Sequence, residues 1–168
     1  MADIYAIFGS LIFLGITYPA LLTAWQLLFP GVVHRSRERI VGTPWKCFGL
    51  GAGGLAGAGI PGLILFNLPS QAAQLLAWIW LVFLLSLSSM AAAGLASELG
   101  SRLQESSSEP SSRAGSTLRG AFLLELSSAF PVIGWLLILP AGLLVTLGAG
   151  IFALFRWTPQ SAEVFEAA

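Results

Sequence analysis

The chain has 168 residues, 56% of them hydrophobic and 10% charged, and its eight basic and eight acidic residues cancel to no net charge; its mean hydropathy is +0.83. A water-soluble domain carries about 25% charged residues to wet its surface, so most of this surface is built for lipid. The charge balance gives no sign of a nucleic-acid partner, and a single cysteine (Cys47) with a single histidine (His34) leaves no intrachain disulfide and no Cys or His set for a metal.

In chain order, the first apolar run covers 4–29 and contains Pro19, expected to kink it. It is too long for a signal-peptide core and lacks a basic leader, so it reads as a transmembrane helix. A basic loop follows at 30–46, with Arg35, Arg37, Arg39 and Lys46. The second span, 45–66, holds the glycine stretch GLGAGGLAGAGIPG, in which Ile60-Pro61-Gly62 is expected to kink or end the helix. A short uncharged turn at 67–71 leads into a third span at 72–96. The 98–119 segment is polar and serine-rich and reads as an exposed loop.

The last apolar run, 118–155, would be about 57 Å long as one helix, nearly twice the hydrocarbon thickness. Trp135 and Trp157 would lie about 33 Å apart, an aromatic-belt spacing. The fourth span is therefore placed at 132–155, preceded by a short interfacial or re-entrant helix broken at Pro131. The fold class is thus an all-α integral membrane bundle of four transmembrane helices in one domain, with a fifth span as the alternative. The loops at 30–46 and 98–119 carry seven of the eight Lys and Arg residues. The positive-inside rule makes both cytoplasmic, and with four spans both termini fall on the other side.

Gly49, Gly51 and Gly54 match G-x-G-x-x-G, but a dinucleotide loop needs a preceding strand and an acidic residue about 20 positions on. No Asp or Glu occurs between Glu38 and Glu98. Helical spacing explains the glycines better: Gly49, Gly53 and Gly57 share one face, and small-xxx-small faces let helix backbones approach closely. Ala92, Ala96 and Gly100 on the third span are the expected counterpart, either within one chain or across an oligomer seam. A weak likeness between GAGIPGLILF (57–66) and GAGIFALF (148–155) would fit a duplicated two-helix unit.

No protease, hydrolase or nucleotide-binding signature occurs, which gives no catalytic residues, no metal site and no cofactor. Glu125 is the only charge inside an apolar run. At a bilayer centre it would cost about 3 kcal/mol, so it is either a proton or cation site or an interfacial residue paired with Arg119 or a loop arginine. Arg35, Arg37, Arg39 and Lys46 are candidates for contact with anionic lipid or a partner, or they only fix orientation.

The stretches P-W-K-C-F-G-L-G at 44–51, G-I-P at 59–61 and F-P-V-I-G-W-L-L at 130–137 resemble the small membrane domain that follows the β-helical part of bactofilin-type polymer-forming proteins. They also resemble related stand-alone bacterial membrane proteins. The resemblance runs over about 35–155. This sequence carries no β-helical part, so polymer formation is not implied, and no catalytic residue is carried over. The resemblance implies a structural role in a bacterial inner membrane, with thylakoid or organelle membranes as alternatives. The expected function is a non-enzymatic accessory, assembly or scaffold subunit, whose partners are membrane lipids and other integral membrane subunits or itself. The competing readings are a small oligomeric transporter or channel using Glu125, then an enzyme, then a pigment- or haem-binding subunit using His34.

Overall fold

In the computed structural model of the chain, residues 2–105, 112–128, 130 and 132–155 are described, those before Gly15 by their backbone alone. Every described element is helical: α1 (Ala2–Leu28), α2 (Pro30–Gly42), α3 (Pro44–Asn67), α4 (Gln71–Glu105) and α5 (Arg113–Ser128), then a π-helical turn (Gly134–Ile138) that runs directly into α6 (Leu139–Leu154). Three helices are long and apolar enough to cross a membrane: α3, α4 and the joined Gly134–Leu154. The 15–28 part of α1 forms a fourth candidate only together with α2, as a pair bent by 109°. The all-α architecture holds, with three to four candidate spans. Pro131, Arg156 and Trp157, which the sequence suggests as the break, the basic end and one belt of the last span, lie outside the described residues.

Two boundaries differ from the sequence reading. The 30–46 segment is no loop; α2 occupies most of it, started by Pro30 at a position where the missing N–H costs nothing. Its Val33, Ser36 and Ile40 are buried at helical spacing, so one face packs while His34 and Glu38 face out. Nor is 98–119 simply a loop: α4 continues to Glu105 and α5 begins at Arg113. Serines set the starts of α4 and α5, Ser70 Oγ accepting from the Ala73 amide (3.2 Å) and Ser112 Oγ from the Gly115 amide (3.2 Å). Pro19 and Pro61 sit inside α1 and α3 without ending them, α3 running on to Asn67.

A larger correction concerns α6. α4 is the helix against which all the others pack. α3 and α4 form a hairpin, tied by the Trp80 indole donating to the Ala58 carbonyl (2.8 Å) and by Phe66 edge-on to Trp78. α5 runs back along α4, with Gly100 beside Ser116 and Gly120 beside Ala96. α6 then runs in the direction of α4. Ser88 meets Thr146 at 2.8 Å near the middle of both, and the last turn of α6 reaches α2, where Arg35 Nε donates to the Ala153 carbonyl at 3.1 Å. The four-span arrangement sends the end of the last span away from the basic segments. Here that end lies among them, because α5 makes an additional partial pass through the bundle.

Candidate functional site

Two helix crossings share one design. A Cβ added to Gly100 would run into the Ser116 carbonyl, and one added to Gly120 would run into that of Ala96. Likewise Gly51 of α3 lies over the Leu144 carbonyl of α6, and Gly148 lies over that of Cys47. Each glycine therefore faces the carbonyl one turn before its partner glycine. Backbones this close gain dispersion and Cα–H···O contacts that any side chain would block.

Of the expected packing residues, Ala92, Ala96 and Gly100 are buried, but their partner is α5, through Ser116, Thr117, Gly120 and Ala121, and not α3. A Cβ added at Gly49, Gly53 or Gly57 would meet nothing within 4 Å. The buried register of α3 runs instead through Cys47 and Gly51, turned about 200° from the expected row. The two GAG segments also differ: Gly57 is open, whereas Gly148 is in a seam. As for the G-x-G-x-x-G pattern, its glycines are helix-interior residues of α3.

The arginines of α2 have three separate tasks. Arg35 caps the carbonyl end of α6, where a helix gathers negative partial charge. Arg37 donates to Glu98 Oε2 (2.8 Å) and to Ser101 Oγ (3.0 Å), clamping α2 to α4. Arg39 is 8% exposed and lies 4.6 Å above the Phe152 ring. Lys46 is exposed at the start of α3. These arginines are thus engaged within the chain, which the sequence reading as lipid or partner contacts did not anticipate. His34 sits on the outer face of α2, 3.5 Å from Glu38.

Glu98 also accepts from Arg102 Nε at 2.7 Å. α4 is about 52 Å long, well beyond a hydrocarbon core of about 30 Å, so a bilayer centred on its apolar part would leave the turns from Glu98 onward outside. The bond from Arg102 is the main reason the Glu98 carboxyl lies below the usual carboxylate range; the bond from Arg37 adds to it, and partial burial opposes.

The middle of the bundle is different. α5 stops at Ser128, with Ser127 and Ser128 hydroxyls donating to the Leu124 (2.7 Å) and Glu125 (2.8 Å) carbonyls. Gly134 closes the return: a Cβ there would strike the Ser127 and Ser128 carbonyls. Glu125 points toward α1, with Oε1 about 3.4 Å from where a Cβ on Gly15 would be. Among the described residues nothing donates to its buried Oε2, and the expected pairing with Arg119 is not formed.

Beside this break lies a cavity of about 500 Å³ between α1, α4, α5 and α6. Its wall includes Tyr18 and Trp25 of α1, Ser89 and Ala92 of α4, Leu124 and Ser128 of α5, and Leu139, Gly142 and Thr146 of α6. Trp25 Nε1 donates to Ser89 Oγ (3.0 Å) across it. Sequence reasoning missed this cavity, since it needs four helices to be placed at once.

Glycine-notched crossings and an apolar exterior define an all-α protein with three to four helices long and apolar enough to cross a bilayer. No known protein family, curated protein or solved structure matches the chain.

Proposed function

We propose that this chain is a non-enzymatic multi-pass membrane protein, an accessory, assembly or scaffold subunit that packs against other integral membrane subunits or a second copy of itself. One observation supports this best. Gly49, Gly53 and Gly57 form a row on α3 where an added Cβ would meet nothing within 4 Å, in a chain whose other glycine rows make its closest helix contacts. Such a row suits an incoming helix. The resemblance to bactofilin-associated membrane domains favours a bacterial inner membrane and a structural role.

With α2 and its basic residues on the cytoplasmic side, the end of α6 falls there as well, so a reporter fused after residue 168 is expected to signal from the cytoplasm. The function is tested by native mass spectrometry of the gently extracted protein. A co-purifying subunit or dimer that Gly53→Leu removes is expected. A lone monomer in both forms defeats the proposal.

A second reading keeps Glu125 as a proton or cation site. A carboxylate near the carbonyl end of a half-length helix gathers negative potential within the bundle. It calls for proton or cation flux in liposomes that Glu125→Gln abolishes.

A further inference from the structure

We propose that the cavity between α1, α4, α5 and α6 holds one acyl chain of a lipid from the surrounding bilayer. This rests on the membrane location argued above and is independent of the accessory role.

The cavity exists because α5 is short. Its 16 residues cover about 24 Å and end at Ser128, whereas α4 and the joined π-turn and α6 continue past that level. The chain reverses at Gly134 and leaves the continuation of α5 unbuilt. α1 and α6 stand on either side of α4 without packing extensively on each other, so the space is not closed from the flank. Its volume, about 500 Å³, lies in the range of small-ligand sites, roughly 300–1,000 Å³.

The chemistry of the wall selects an apolar occupant. Leu21, Leu85, Leu124, Leu139 and Leu143 supply much of it. Polar groups there are largely turned to one another: Trp25 to Ser89, Ser88 to Thr146, and Ser128 to the Glu125 carbonyl. A water would find few free partners, and apolar cavities stay dry. The floor is the apolar middle of α4, at the depth of the hydrocarbon. At that depth the abundant molecule of matching polarity and narrow cross-section is a lipid chain. No charged side chain lines the cavity among the described residues, so the chain and not the headgroup is what the site takes.

Gly142 provides the handle. It lines the cavity, and a Cβ there would meet nothing within 4 Å, so a larger side chain can enter without a backbone clash. Gly42 is equally unobstructed but lies on α2, which contributes nothing to the cavity.

The full chain is reconstituted in phosphatidylcholine vesicles carrying a trace of phosphatidylcholine with a diazirine within its acyl chain. After irradiation, the labelled residues are mapped by peptide mass spectrometry. Labelling is expected at Ser88, Ser89 and Leu143 as well as at outward residues such as Leu75 and Ile79. Gly142→Phe is expected to lower cavity labelling at least fivefold and leave Leu75 and Ile79 unchanged, while Gly42→Phe leaves both unchanged. Gly142→Leu, a smaller fill, gives a smaller drop and decides the matter if the Phe variant does not fold. Labelling confined to outward residues, or cavity labelling that folded Gly142 variants do not reduce, overturns the proposal. Carbonate extraction beforehand separates the premises: a chain released by carbonate defeats the membrane location itself.

Discussion

The end of the bundle around α2 and the region around the end of α5 are built from the same few residue types with opposite results. At the α2 end glycines remove the last space between helices, at Gly51 with Gly148 and at Gly100 with Gly120. The charges there are matched as well, Arg37 and Arg102 meeting on Glu98. Around the end of α5, Gly142 faces open space, and Glu125 has a buried oxygen that no described residue partners. The contrast teaches that this chain uses charged and small residues to lock one end, and leaves room nearer its middle. Rigidity at one end and a cavity in the middle suit a protein that holds its shape while accommodating a guest.

The largest test of this contrast is steric. Gly120→Leu forces a side chain into the Ala96 carbonyl and is expected to cost about 3 kcal/mol or more, enough to prevent folding. Gly142→Leu, the same change at the open region, should stay within about 0.5 kcal/mol. Thermal unfolding in detergent compares them directly, and equal losses would erase the distinction.

Next comes the clamp. Arg37→Ala removes two hydrogen bonds to α4 and leaves Glu98 with Arg102 alone. A cost of about 1 kcal/mol is expected, because Arg37 is partly exposed and solvent screens the pair. Amide exchange should quicken in α2 first, with the α5 end little changed.

A pH effect of similar origin follows. The Glu98 carboxyl is depressed in the folded chain, so the stability it contributes is fully present above its unfolded value and is lost as pH falls through the folded one. Acidification below the ordinary carboxylate range is therefore expected to loosen α2, and Glu98→Gln should flatten that dependence in exchange measurements.

The smallest expected effect is at Glu125. Its Oε2 has no described partner to lose, so Glu125→Gln should leave the melting temperature unchanged or slightly raised. A marked fall would mean that the carboxylate is holding the α1–α5 contact and that the open region is more tightly built than it looks.

Much of this was legible beforehand, for reasons that differ by element. α3, α4 and the last span stand out because long uncharged apolar runs have few alternatives to crossing a bilayer. α2 was hidden by its charge: three arginines within five residues suggest solvent, yet Val33, Ser36 and Ile40 give it a packing face. The glycine rows of α3 were ambiguous because the helix is apolar on every side. Spacing then offers several small-residue faces, and only contact with α6 selects Cys47 and Gly51 over Gly49 and Gly53.

By itself the sequence determined the apolar helices long enough to cross a membrane, the helical class and the residues capable of close approach, since these follow from hydropathy, run length and side-chain size. The tertiary structure alone decided which glycine face is used, where the arginines point and which way α6 runs. Those depend on pairing between distant segments: Gly120 over Ala96, Gly148 over Cys47, and Arg35 on the last turn of α6. In lipid no water-driven periodicity marks the inner face of a helix, so backbone-to-backbone fit does the choosing.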